Sequence, residues 1–248
     1  MSPTPTPLVR IRFLTAEGIR TLAEGAAETE LLSSRERERA ARFARDGDRR
    51  RFVAARVLLR RMLEEELGAP AESFRFQTDE HGRPHLASSP SCAFSISHTE
   101  GMVACAVGRV AALGVDVENR KRGAELMKVA RRCFAPEEVR YLEARPGGGR
   151  DEAFFRLWTL KEAYLKAKGR GLSLGLDTPR FALDDSGIPT EFRSRLEGNP
   201  EAWRFLVDRP GPELVLACAA YGARVTFALR EDPGIPAPPD PQVGRPRP

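Results

Sequence analysis

The sequence predicts an α+β protein made of two α/β halves, spanning about 1–112 and 113–230. Three observations carry that prediction. Helical periodicity and short alternating strands are interleaved along the chain rather than segregated. Each half sets a long helix ahead of a run of strands. Late in each half, Met102-Val103-Ala104-Cys105-Ala106-Val107 and Val215-Leu216-Ala217-Cys218-Ala219-Ala220 echo one another, as the strands of a duplicated unit would.

Taken in order, residues 2–7 alternate Pro with small polar residues and predict a frayed end. Val9, Ile11 and Phe13 alternate with Arg10 and Arg12, the period of a half-buried strand. Ser33 followed by Glu36 fits a capping box opening an Arg-rich helix, which Asp46-Gly47-Asp48 interrupts. A second helix is expected from Arg49 to Leu67, stopped by Gly68 and Pro70. Short strands follow at 73–77, 93–97, 102–108 and 113–118, between turn residues such as Gly82, Pro84 and Gly101. Helices are expected at 124–133 and 136–144, the second with Pro136, Glu137 and Glu138 in its first turn. The glycine-rich stretch 145–150 reads as a mobile loop, with Asp151 capping a helix over 152–168 that Gly169 ends. Strands are expected at 179–183, 203–208, 213–220 and 224–229. The tail 231–248 holds seven prolines in eighteen residues and reads as disordered, because it has too little apolar surface to offset chain entropy.

The formal charge of +5 and pI near 9.3 leave nucleic acid, anionic cofactors and acidic proteins as partners. Of 40 basic residues, 35 are Arg and five are Lys, so a Lys needs a reason; Lys161, Lys166 and Lys168 fall within eight residues. The four cysteines show no C-x-x-C spacing, which argues against a disulfide framework or zinc site and for a reducing cytosol. No apolar run approaches the ~20 residues of a membrane span. A cytoplasmic protein is expected.

Four pieces carry chemistry. Gly114-Val115-Asp116-Val117-Glu118 puts two carboxylates at i and i+2, on one face of a strand and able to converge on one cation. In isolation, an amphipathic strand with a wet polar face explains this pattern better. On the helix, Trp158, Glu162 and Lys166 stand at i, i+4 and i+8. Alone they read as a surface ion pair beside a packed Trp, although the lysine asymmetry argues for a compact charge meeting a phosphate oxygen. Phe94-Ser95-Ile96-Ser97-His98 offers a hydroxyl and an imidazole at a strand end. No histidine or cysteine partner stands at zinc-ligand spacing, and no G-x-S-x-G elbow supports a hydrolase. Glu80-His81-Gly82-Arg83-Pro84-His85 is a turn presenting Arg83.

In this order and spacing, these pieces resemble the 4′-phosphopantetheinyl transferases of the large, single-chain surfactin-synthetase-activating (Sfp) type. That family carries a G-[KR]-P turn, a Ser-His strand end, a G-[IV]-D-[IV]-E strand and a W-x-x-K-E-[AS]-x-x-K helix. Here they read Gly82-Arg83-Pro84, Phe94 to His98, Gly114 to Glu118 and Trp158 to Lys166, and Gly169 to Leu174 is similar to the turn that follows. The resemblance covers about 30–180. It implies two pseudo-symmetric subdomains, each a long helix on a small, mostly antiparallel sheet, with the site at their interface.

By the same resemblance Asp116, Glu118 and Glu162 hold magnesium, which manganese can replace. Glu162 is the general base, taking the carrier serine's proton directly or through water, and Lys166 meets the coenzyme A pyrophosphate. Arg51, Arg83, Ser97 and His98 lie along the coenzyme's nucleotide and phosphates, with Gly82 and Asp116 completing that site. The first half then serves the nucleotide and the second the metal. The implied partners are coenzyme A and acidic apo-carrier proteins, and a chain containing both halves is expected to be a monomer. Glu100 departs from the family's usual small or basic residue after the Ser-His pair. Two rivals remain: a magnesium phosphodiesterase using the same carboxylates, and a nucleic-acid binder. The latter would need aromatics interleaved with its bases, and 35–61 has only Phe43 and Phe52.

Overall fold

The computed structural model describes residues 6–234 except 26–28, 81, 88, 90, 121–124 and 223. The first half runs β1 (Leu8–Thr15), α1 (Ala16–Glu24), α2 (Ser34–Ala41), α3 (Asp46–Leu67), β2 (Phe76–Thr78), β3 (Pro84–Leu86), β4 (Ala93–Thr99) and β5 (Met102–Gly108). The second runs β6 (Ala112–Asn119), α4 (Leu126–Cys133), α5 (Pro136–Glu143), α6 (Gly147–Lys168), β7 (Pro179–Leu183), β8 (Pro189–Ser194), β9 (Trp203–Gly211), β10 (Leu214–Tyr221) and β11 (Thr226–Glu231).

Strand order exposes the repeat. The first sheet contains β1-β5-β4 and the second β6-β10-β9, both antiparallel, and in each half a small hairpin (β2–β3 or β7–β8) follows the long helix. Both long helices have 22 residues and end on a glycine in the left-handed region, Gly68 (φ 68°) and Gly169 (φ 73°), where a Cβ would be strained. α3 packs Val53, Val57 and Leu58 against Val103, Cys105 and Val107 of β5. α6 packs Leu160, Ala163 and Ala167 against Val215, Ala217 and Ala219 of β10. The opposite faces of the two sheets share one core, Val9, Ile11, Ala104 and Ala106 meeting Val115, Val117, Leu216 and Cys218. Period-two alternation therefore gives both sides of each sheet to apolar packing, with the helices outermost.

The strand echo is real in topology but slips by one residue. Cys105 faces α3, whereas Cys218 faces the shared intersheet core, so the position that Cys105 takes in its half is held by Ala217 or Ala219 in the other. The last strand also departs from its own half. β11 pairs in parallel with β1, Leu8 opposite Thr226 through Phe13 opposite Glu231, and so joins the first sheet.

Several expectations need correction. Asp46-Gly47-Asp48 is the first turn of α3 rather than an interruption, its two acids suiting the positive end of the helix dipole. The loop expected at 145–150 is the entry to α6: Gly149 and Arg150 donate to Pro146 O, and Arg150 Nε donates to Leu142 O and Arg145 O. Asp151 is thus inside the helix. α1, β3 and β8 were not anticipated. The tail was expected to be disordered from 231, yet Glu231 ends β11 and buried Asp232 donates its N–H to Phe13 O; residues from 235 onward lie outside those described. The Ser33–Glu36 capping box is present, both reciprocal bonds made.

Candidate active site

Gly114 explains how the strand carboxylates reach the helix. A Cβ there would stand 2.0 Å from Ala163 O and 2.5 Å from Ala167 N, so β6 lies backbone to backbone on α6. Asp116 and Glu118 share the Gly114 face of β6. Glu162 and Lys166 stand one residue before Ala163 and Ala167 on α6, with Trp158 a turn earlier. Two contacts tie the strand to the helix: Lys166 Nζ is 2.7 Å from Asp116 Oδ1, and Trp158 Nε1 donates to Glu118 Oε1 at 3.1 Å, while Glu162 is close enough to feel the Asp116, Lys166 and Glu118 charges. Burial, then the neighbouring Asp116 charge, push the Glu162 carboxyl up to about 7; Lys166 opposes this and Glu118 adds to it.

This donor set suits a hard divalent cation. Asp116 is 4% exposed and its Oδ2 is buried with no hydrogen-bond partner. Three carboxylates face one ammonium, an excess of negative charge that oxygen-liganded magnesium would offset. As the side chains stand, no three His, Cys, Asp or Glu among the described residues are grouped to hold a metal. The convergence expected for Asp116, Glu118 and Glu162 is therefore one of charge and position, and ligation would need side-chain rotation.

The two sheets adjoin along β4 and β6, edge strands bridged by hydroxyls. Ser95 Oγ accepts from Val115 N at 3.0 Å, and Ser97 Oγ from Val117 N at 3.3 Å. Beside this seam lies a cavity of about 410 Å³, lined by Gly82, Arg83, His98, Lys166, Arg39 and Arg56 among others. Gly82 (φ 82°) turns the chain so that Arg83 reaches the second half, donating to Ala167 O at 3.0 Å and Leu113 O at 3.1 Å. Arg83 thus completes a carbonyl at the C-terminus of α6 as well as walling the cavity. Desolvation beside its neighbours, then the charges of Arg51 and Lys166, hold the His98 imidazole below its usual value. Arg51 is the outlier: it pairs with Asp48 and does not line the cavity, although its charge is felt at His98.

The sequence did not reveal Arg39 and Arg56. Both guanidiniums lie over the Phe52 ring, at 5.3 and 5.4 Å, and Arg56 also lies over Phe76 at 5.7 Å. Desolvation lowers the Arg56 pKa. The Glu36 carboxylate is shared between Arg60 at 2.7 Å and Arg56 at 3.8 Å, one negative charge against two guanidiniums. A second cavity of about 490 Å³ shares Arg39, Phe52 and Arg56 with the first. Nothing in an Arg-rich run distinguishes these two from their neighbours. Of the three clustered lysines, only Lys166 is in the site. Lys161 is fully buried, its ammonium held by Glu138 at 2.7 Å and by the carbonyls of Leu176 and Pro179. Lys168 pairs with Glu197.

An arginine-walled cavity lies beside the carboxylate-bearing strand β6 and helix α6, at the seam of two α/β units, a setting whose surplus basic charge suits an anionic ligand. Family models sharpen that reading. Residues 112–219 match the 4′-phosphopantetheinyl transferase superfamily, and 21–109 match the 4′-phosphopantetheinyl transferase N-terminal family. The chain is 36% identical over 194 residues to the 4′-phosphopantetheinyl transferase HetI of Nostoc sp. PCC 7120, covering 77% of this chain and 79% of that one. It is 31% identical over 156 residues to the 4′-phosphopantetheinyl transferase Sfp of Bacillus subtilis 168, covering 63% and 68%. A crystal structure of a holo-(acyl-carrier-protein) synthase from Bacillus anthracis in complex with CoA (3′,5′-ADP) has TM-score 0.40 and 20% identity over 46% of this chain and 97% of that one, too loose a likeness to add to the assignment. The chain belongs to the 4′-phosphopantetheinyl transferase superfamily and is a transferase.

Proposed function

We propose that this enzyme transfers the 4′-phosphopantetheine group of coenzyme A to a serine of an apo-carrier protein, giving holo-carrier and 3′,5′-ADP. One observation carries the reading: Lys166 both lines the arginine-walled cavity and bonds Asp116 of the carboxylate cluster, so a ligand's phosphates would run from one into the other. On this reading the first half, 1–112, grips the nucleotide through Arg83, His98, Arg39 and Arg56, with Arg51 adding positive charge near His98. The second half, 113–230, brings the catalytic helix, and Asp116, Glu118 and Glu162 would hold magnesium.

Lys166 meets the coenzyme's pyrophosphate. The carrier serine Oγ attacks the β-phosphorus, its proton passes to Glu162, and the bond to the bridging oxygen breaks so that 3′,5′-ADP leaves with it. In the metal-free site burial and the Asp116 charge hold the Glu162 carboxyl up at about 7; a bound cation would favour its ionised form, the form that accepts the serine's proton. Bound magnesium would supply charge neutralisation on the phosphates. A net charge of +5 favours acidic carriers. We take the setting to be the cytoplasm, in keeping with four free cysteines, and the working unit to be a monomer, since one chain carries both halves of the site.

The test is to incubate enzyme, coenzyme A and a panel of apo-carriers with magnesium, then with excess EDTA. Transfer should stop on chelation and return with magnesium or manganese. Full activity in EDTA would sink the metal assignment; free phosphopantetheine with unmodified carriers would indicate a phosphodiesterase instead.

A further inference from the structure

Ser97 stands where the family resemblance implies a coenzyme phosphate contact, but its hydrogen bonds are already committed. A serine hydroxyl has one donor and two acceptor positions. Ser97 donates to Asp116 Oδ1 at 2.9 Å, accepts from Val117 N at 3.3 Å and accepts from Lys166 Nζ at 2.8 Å. The residue is 6% exposed. An anion needs a donor, and the hydroxyl's only proton points at Asp116. Ser97 and Lys166 both converge on Asp116 Oδ1, whereas Oδ2 is buried and unpartnered. The carboxylate is therefore fixed by one oxygen with the other left over, the arrangement by which outer hydrogen bonds orient a metal ligand.

We propose that Ser97 is a positioning residue for the cation rather than a ligand of the coenzyme: it holds Asp116 so that Oδ2 serves the metal, and keeps Lys166 alongside. This rests on the metal site proposed above. Ser95 supplies an internal control. It bridges β4 to β6 in the same way, through Val115 N at 3.0 Å, and no bond joins it to Asp116 or Lys166.

The experiment measures the Mn²⁺ dissociation constant of the coenzyme-free protein by electron paramagnetic resonance, alongside KM for coenzyme A at saturating Mn²⁺. Thermal melts confirm folding. Ser97→Ala should weaken Mn²⁺ binding at least about tenfold, within the range usual for loss of an outer partner, and leave KM for coenzyme A within about twofold. Ser97→Thr, which restores the hydroxyl, should recover most of the affinity, and Ser95→Ala should leave it within about twofold. Should Ser97→Ala not fold, Ser97→Cys makes the same comparison, keeping the volume with a poor hydrogen-bonding sulfur. Unchanged Mn²⁺ affinity with a raised KM would make Ser97 a coenzyme ligand and overturn the proposal. Equal weakening in the Ser95 and Ser97 variants would reduce it to a sheet staple. Failure of the wild type itself to bind Mn²⁺ would instead overturn the metal site, and the positioning role with it.

Discussion

Replacing Glu162 by Gln should stabilise the metal-free protein at alkaline pH, an unusual outcome for an active-site change. The carboxyl is raised from its ordinary 4.5 to about 7 in the folded chain, so the folded state binds more protons than the unfolded state between those values. Stability from this group is intact below about pH 4.5, declines as pH rises through about 7, and its loss is complete above that. The full difference corresponds to a ceiling of about 3.4 kcal/mol. Glu162 is only partly buried, and solvent screening reduces this to about 1–2 kcal/mol. Gln keeps the shape and removes the charge. In melts with chelator, the two proteins should match at about pH 4, and Glu162→Gln should melt about 2–8 °C higher at pH 8. Magnesium should reverse the order at pH 8, stabilising wild type by up to about 2.7 kcal/mol at a hundredfold excess over its dissociation constant and the variant by much less. Equal melting at both pH values without metal would refute the claim that burial, helped by the Asp116 and Glu118 charges, holds the Glu162 carboxyl up.

Three further substitutions probe other parts of the site. Lys166→Arg preserves charge but must fit a guanidinium between Asp116 and Ser97; kcat/KM should fall at least about tenfold (~1.4 kcal/mol), and near-wild-type turnover in a folded variant would return the pair to an ordinary ion pair. Arg83→Ala should raise KM for coenzyme A and also lower stability by about 1–3 kcal/mol, because the Ala167 and Leu113 carbonyls lose their donor; a KM effect with an unchanged melt would mean those bonds are dispensable. Gly114→Ala forces a Cβ into the α6 backbone and should cost at least about 1–3 kcal/mol in denaturant melts while separating β6 from α6; a neutral result would contradict the close approach.

Local pattern told most about what local pattern controls. Period two put Asp116 and Glu118 on one face, helical spacing aligned Trp158, Glu162 and Lys166, and the structure joins both sets. The reason they can meet, the bare backbone at Gly114, depends on a contact 49 residues away in sequence and left only a glycine as its trace. The scarcity of lysine drew attention to Lys166, which lies at the cavity, and equally to Lys161, which does not. That lysine serves a different need for a compact charge, a buried ammonium whose acceptors are Glu138 and two carbonyls. Arg39 and Arg56 were invisible because an arginine over a phenylalanine ring looks like any other arginine on a basic helix. The echo between the halves pointed to the duplication yet matched the wrong residues. Alternating small apolar strands align equally well one residue out of step, and only the sheet's two faces distinguish Cys105 from Cys218.

On the proposed reading, one site at the seam of the two halves moves phosphopantetheine onto a carrier serine. Intact-mass analysis tests it most directly: an apo-carrier and the same carrier with its acceptor serine replaced by alanine are each incubated with enzyme, coenzyme A and magnesium. The serine carrier alone should gain the mass of one phosphopantetheine, with equimolar 3′,5′-ADP released. Labelling of the alanine carrier, or release of 3′,5′-ADP without any gain in carrier mass, would contradict it.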